Sequence, residues 1–368
     1  MLETLKFGKG NWANKTDSTL AYSDQYGNFQ AIPFDFTRAT TATRVNKQGL
    51  IESVNDGIAR IDYSDSTQGA LLLEPERTNL IINSNDFSNW STIGTPTLDS
   101  NYGVSPDGTQ NSTRVQMVSG DRIYKSTTSV SDASFSVYLK GSGQVRLRNA
   151  SNTLSNEVTL TSEWVRYYNV GDFTSSNNVQ VQYVSGSVDF EIFGVQYEEG
   201  SYATSYIPTN GAIATRNQEI CKNATPEINS EEGVLYAEVN FGQQHTVSRY
   251  LGLSNGTNSN RVIIGVSANT STISIFVSSG GVTQAQMNFA VNISENHKIA
   301  LKYKLNDFAL WIDGVEVVTD NGGIAPIGLD NLRFSQGDLN NKFFGRTSQI
   351  QVFNEALTDA QLQTLTTI

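Results

Sequence analysis

Apolar residues in this chain recur at every second position, and spacings of three or four are almost absent. That alternation limits the fold more tightly than any motif, because it suits a half-buried strand and cannot make the apolar stripe of a helix. DASFSVYL sets Ala133, Val137 and Leu139 on one face, with Phe135 in phase. QVRLRN then alternates Val145 and Leu147 against Arg146 and Arg148. EWVRYYNV, NVQVQYV and VDFEIFGVQYE continue the theme to Glu198. Turn signals at SPDG (105–108), KGSG (140–143) and SSNN (175–178) separate these pieces. One antiparallel sandwich is expected over about 79–209.

A second set of strands follows the polar stretch 217–233: GVLYAEVNF, YLGLS, RVIIGVS, STISIFVS, AQMNFAVN, HKIALKYK, FALWIDG, NLRFSQ and RTSQIQVF. So many short strands need two packed sheets to bury their apolar faces, which predicts a second sandwich. Asp313-Gly314 supplies the positive φ values of a tight hairpin. One helix is predicted, at TDAQLQTL, with Thr358 as its cap and Asp359 in the positive first turn, closing the sandwich edge. Trp164 and Trp311 lie within alternating strands and are expected to be core.

Composition narrows the function classes. With 30 Gly, 7 Pro and 38% hydrophobic residues, the 368-residue chain is folded and long enough for two or three domains. A net charge of -11 disfavours nucleic acid and anionic lipid as partners. No apolar run is long enough for membrane insertion, and MLETLKFGKG lacks the core of a signal peptide. Cys221 has no partner for an intramolecular disulfide and reads as a plain thiol; two histidines are little material for zinc.

Several stretches carry a family resemblance. HKIALKYKLNDFALWIDGVEV, GLDNLRFSQGD and FFGRTSQIQVFNEALTDAQLQTL resemble the laminin-G-like, concanavalin-like lectin and glucanase superfamily in its bacteriophage and bacterial versions. QYEEGSYATSYIPT (196–209) is similar to a signature of predicted phage virion proteins, as is LLLEPERTNL followed by SNDFSNW (84–90), which marks entry into a jelly roll resembling carbohydrate-binding modules. The resemblance implies an all-β chain of two consecutive antiparallel β-sandwiches, jelly roll then concanavalin/laminin-G-like, preceded by an extended N-terminal segment. The expected domains are 1–78, an attachment or wrapping segment, 79–216, carbohydrate-binding-module-like, and 217–368, lectin-like.

The chemistry-bearing residues favour binding over catalysis. Lectin-like glucanases align carboxylates as E-x-D-x-x-E on one strand, and this chain has no such triplet. Asp189 and Glu191 share a strand face, with Glu198 and Glu199 close by, and read as structural or solvated groups. His297 opens a core strand and His245 stands in QQHTVSRY; neither has a nucleophile elbow, so both read as structure. Tyr102 and Tyr250, beside Asn- and Gly-rich loops, are the rings best placed to stack on sugars. Calcium is the one cofactor left open, with Asp313, Asp330 and Asp338 as its candidate ligands. Glu74, Glu76 and Arg77 are read as a bonded clasp at the joint between the N-terminal segment and the first sandwich.

These readings lead to a non-enzymatic virion protein, a fibre or a capsid- or tail-surface adhesin, that presents a glycan- or receptor-binding surface to the host. It would dock to other virion proteins through the N-terminal segment and assemble as a homo-oligomer, a trimer by analogy with such fibres. A glycan depolymerase, or a bacterial or prophage-encoded surface glycan-binding protein, are the alternatives.

Overall fold

The computed structural model describes residues 2–6, 12–15, 18–25, 28–149, 155–174 and 177–368, with the backbone alone over 2–32. Its regular secondary structure is almost entirely antiparallel strand, as the alternation requires. Residues 175 and 176 of the expected SSNN turn lie outside the described residues. The chain forms two compact units. One comprises 1–39, 54–75 and 218–368, and the other 40–53 and 76–217.

The second of these units is a sandwich built on two long strands, Ala133–Asn149 and Asn178–Glu199, which pair with each other along their length. Residues 133–139 pair with Val165–Gly171 and residues 188–192 with Thr113–Met117, giving one layer. Residues 144–148 pair with Ser155–Thr159 and residues 178–182 with Arg122–Ser126, giving the other. The register shifts between Ser142 and Val145 mark where the strands turn from layer to layer. Glycine is required there. A Cβ on Gly141 would lie 2.2 Å from the Asp189 carbonyl oxygen, and Gly143 has φ +89° with Val188 and Ser187 pressed against it. Val115, Phe135, Val137, Leu139, Ile192 and Val195 of one layer meet Ile123, Val145, Leu147, Val179 and Val181 of the other in a single buried core.

Buried polar groups fix the entry and exit of this unit. Asn79, fully buried, donates to the carbonyls of Val195 and Ile207 and accepts from the Ile81 and Tyr197 N–H groups. Glu198 accepts from the N–H and hydroxyl of Thr204, while Gln196 accepts from the Ile207 N–H. The two sequence signatures are thus latches that hold the 201–209 loop on the sheet. Each satisfies backbone groups that burial would otherwise leave unpaired.

The first unit packs a five-stranded sheet, with Arg261–Val266 at its middle, against a larger sheet that contains Glu232–Asn240, His297–Lys304 and Gly345–Phe353. Leu235, Ile299, Leu301, Leu310, Ile350 and Val352 of the larger sheet interleave with Leu251, Val262, Ile264, Ile275 and Leu332 of the smaller. Asp313 and Gly314, at φ +52° and +84°, make the hairpin turn expected of them. The helix Asp359–Thr366 is closed by a capping box between Thr358 and Gln361. It lies on the outer face of the larger sheet and not at an edge, covering Tyr236, Ala300, Trp311 and Phe353 with Leu357 and Leu362.

Of the 1–78 stretch, expected as a separate attachment segment, residues up to 39 and 54–75 instead belong to this unit and 40–53 and 76–78 to the other; Phe34, Phe36, Ala59, Ile61, Leu71 and Leu73 are all buried in this core. Leu2–Lys6 pairs with Gly345–Phe353, and so does Ala70–Leu73. Each apolar piece in this stretch is too short to announce a sandwich alone, and the missing neighbours are some two hundred residues away.

One ionic cluster joins these pieces. Glu219 accepts from Arg38 Nη1 at 2.7 Å and from Arg60 Nε and Nη2 at 2.8 and 2.5 Å; Arg60 also reaches Glu74 at 2.9 Å. Glu74 and Glu219 further exchange backbone bonds, Glu74 N–H to the Glu219 carboxylate and Glu219 N–H to the Glu74 carbonyl. Burial opposes the charge on Arg60, but the carboxylates of Glu219 and Glu74 more than offset it and hold its pKa above the ordinary value. Glu219→Ala, which takes from two buried guanidinium groups the carboxylate they share, is expected to destabilise this unit by about 3–5 kcal/mol. Glu76→Ala, at an exposed position, should change stability by less than about 0.5 kcal/mol. Urea unfolding of the two variants checks the contrast.

Candidate functional site

The outer face of the layer containing Thr113–Met117 carries a set of charged and aromatic groups held by register. Arg114, Glu191 and Lys140 stand in one cross-strand row, and Gln116, Asp189 and Ser142 in the next. Because strand side chains alternate, these project outward while Val115, Phe190 and Leu139 enter the core. Arg114 grips Asp189 through Nε and Nη2 at 2.8 and 2.5 Å, and Gln116 adds a bond at 3.1 Å. Lys140 Nζ is 3.2 Å from Glu191, whose other oxygen accepts from the Ser112 hydroxyl at 2.6 Å.

An aromatic ring borders each ion pair. The Arg114 guanidinium lies 5.0 Å from the centre of Tyr102, and Lys140 Nζ 5.7 Å from that of Trp164. The loop that carries Tyr102 is pinned: Gly103 N–H donates to Ser112, and Trp164 Nε1 donates to the Val104 carbonyl at 3.0 Å. A Cβ at Gly103 would sit 2.1 Å from Glu191 Oε2, so any side chain there would have to displace that carboxylate. The result is a preorganised surface with Tyr102 48% exposed and Trp164 half-buried beside it. Planar rings next to fixed donors and acceptors suit stacking on a sugar face with hydrogen bonds to its hydroxyls.

The other sequence candidates fall elsewhere. Tyr250 is only 5% exposed and packs edge-on against Phe276 in the first unit's smaller sheet, so it has no open face for a sugar. Asp313 accepts from His297 Nδ1 and the Lys298 N–H, Asp338 from Asn258 and Asn340, and Asp330 from Asn331. The three aspartates are not brought together, and no group of three or more His, Cys, Asp or Glu among the described residues is arranged to hold a metal. Glu74, Glu76 and Arg77 do not form one clasp. Glu74 belongs to the Glu219 cluster, Glu76 accepts from Asn217, and Arg77 lies 3.8 Å from Glu198 with Tyr202 against its guanidinium.

The structural readings of His297 and Cys221 hold. The histidine is bonded through both ring nitrogens, to Asp313 and to the Asn292 carbonyl. The thiol is buried, and desolvation pushes its pKa well up, which suppresses the thiolate. Trp164 was expected in the core; the structure leaves it half-buried, outside the main core and packed against Ile51, Phe193 and Tyr206. Its phase contained the signal, because it shares parity with Arg166 and exposed Tyr168, whereas Tyr167 packs on the core.

No protein-family model and no curated protein matches this chain. Among solved structures, the carbohydrate-binding module of family 40 from the Ruminococcus gnavus IT-sialidase, bound to alpha2,3-sialyllactose, is similar at 20% identity and a TM-score of 0.33, covering 38% of this chain and 84% of that one. Domains LG4-5 of the mouse laminin alpha1 chain are similar at 11% identity and a TM-score of 0.25, covering 64% of this chain and 90% of that one. Both are likenesses of β-sandwich domains and carry nothing about ligand or site.

The Arg114 hydrogen bonds hold the Asp189 carboxyl below its ordinary 3.8. Because the folded value is depressed, the pair's contribution is complete above about pH 4 and is lost as pH falls through the folded pKa. Arg114→Ala should raise the Asp189 midpoint back towards 3.8, read by NMR titration of the side-chain carboxyl.

Proposed function

We propose that this protein is a non-enzymatic glycan-binding protein of a virion surface, a fibre or a tail or head decoration, and that the Tyr102 face is where it meets a host polysaccharide. The observation that carries the reading is the exposed ring of Tyr102 stacked on a guanidinium whose position is itself fixed by Asp189. An exposed aromatic side chain held in one place loses little freedom on binding, which favours a hydroxyl-rich, well-hydrated ligand whose contacts gain little over those with water. The virion assignment rests on the sequence signatures at 69–90 and 196–209. Oligomeric assembly is part of the same proposal.

A depolymerase is the second reading, and Asp189 with Glu191 would be its acidic pair. The local electrostatics weigh against it. A glycosidase needs one carboxyl kept protonated near neutral pH. Asp189 is instead held ionised by Arg114, and Glu191 is paired with Lys140.

Titration of the full chain with host capsule or cell-wall oligosaccharides, followed by calorimetry, tests the binding site. Tyr102→Ala is expected to weaken binding by about tenfold without shifting the melting temperature, and Trp164→Ala to weaken it at least as much while lowering the melting temperature, because it also removes the indole bond to the Val104 carbonyl and the packing on Ile51, Phe193 and Tyr206. Unchanged affinity in both variants would remove this face from the reading. New reducing ends on incubation would make the protein an enzyme, and its absence from imaged particles would end the virion assignment.

A further inference from the structure

The opposite layer of the same unit presents a different surface. Across Arg122–Ser126, the first half of Asn178–Glu199 and the second half of Ala133–Asn149, the register sets Arg122, Gln182, Arg146 and then Glu157 in one row. The next row contains Tyr124, Gln180 and Arg148. Val145, Leu147, Val179, Val181 and Ile123, the intervening residues, point into the core. Three arginines therefore share one outer face. By strand spacing, Arg122 and Arg146 are roughly 10 Å apart at the backbone, and Arg146 and Arg148 roughly 7 Å.

Like charges on neighbouring strands repel, and a chain of net charge -11 has carboxylates enough to avoid the arrangement. Among the described residues of this face one is supplied: Glu157, itself exposed, pairs with Arg146. Arg148 donates to the neutral amide oxygen of Gln182 at 2.8 Å. Arg122 has no hydrogen-bond or ion-pair partner among the described residues, although its Nε is buried. Burial, followed by the charges of Arg122 and Arg146, lowers the pKa of Arg148, in keeping with an excess of positive charge on this face.

We propose that this face is a second binding site, for the carboxylate or sulfate oxyanion of an acidic glycan, with Arg122 and Arg146 as its principal donors. Guanidinium groups fit such oxyanions in the plane of two parallel N–H bonds, and an incoming anion gives Arg122 the partner it lacks and offsets the repulsion. Tyr124, half-buried beside Arg122's row, supplies a ring edge for the sugar. The sugar part of the ligand rests on the glycan-binding reading; the oxyanion part does not.

Calorimetry of the full chain with an oligogalacturonate and with a neutral oligogalactose of equal length tests the site. The acidic oligosaccharide is expected to bind more tightly, to weaken as sodium chloride rises, and to be displaced by inorganic sulfate. Loss of a charge-assisted bond should weaken it by about tenfold or more in Arg122→Gln, and further in Arg122→Gln with Arg146→Gln, while Tyr102→Ala leaves it in place. Arg122→Gln breaks no side-chain bond among the described residues, so it keeps the test valid if the double variant unfolds. Equal binding of the acidic and neutral sugars, or acidic binding that survives Arg122→Gln, overturns the site and leaves the glycan reading intact. Sulfate-induced shifts of the Arg122 Nε–H NMR signal with no saccharide bound uphold the anion site and remove the glycan reading.

Discussion

The Glu219 carboxylate is the point on which the first unit depends. The chain leaves that unit after 39, returns at 54, leaves again after 75 and returns at 218. Each of those four places has a group in one buried cluster: Arg38, the carbonyls of Val54 and Asn55, Glu74 and Glu219. An insertion that interrupts a sandwich twice must bring four chain ends to fixed positions, and loop-closure entropy opposes every one of them. Charged groups out of water are tolerated only when paired and fully bonded, so the cluster is stable in essentially one arrangement. It thereby sets the register of 54–75 and of the strand that follows 218.

The second unit is governed by a geometric constraint. Two strands serve both layers, so whatever residues alternate outward along them appear on one outer face before the bend and on the opposite face after it. Asp189 and Glu191 thus look out from one layer, and Gln180 and Gln182 from the other, although all four lie within thirteen residues of Gln180–Ile192. The bend allows one pair of strands to build two surfaces of different charge. One is balanced, with two carboxylates against Arg114 and Lys140, and the other is positive. Glycine at 141 and 143 makes the bend sterically accessible, since any side chain at Gly141 would collide with backbone of the partner strand.

Much of this was written locally. Period-two alternation named the strands, Asp313-Gly314 named a hairpin, and Thr358 with Asp359 named the helix start; each depends on interactions within a few residues. His297 and Cys221 were also legible as structural, because neither stands in a nucleophile or metal-ligand spacing. The polar residues of the stretches at 74–80 and 196–209, which carry the family resemblance, bond backbone and each other. Tyr250 and Tyr102 looked alike beside their polar loops. Only packing separated them, burying one against Phe276 and leaving the other over Arg114.

The sequence by itself determined the all-β class, the existence of two sandwiches and the identity of the turn and cap residues, because alternation and local backbone preference are properties of neighbouring residues. Tertiary structure alone decided that 54–75 completes the core of a unit lying mostly beyond 218, that Arg114 meets Asp189, and that three arginines share a face. Those outcomes depend on cross-strand register between segments tens to hundreds of residues apart. A one-residue slip in any ladder would send each of these side chains to the other side of its sheet, and nothing in the local sequence states which register the assembled core selects.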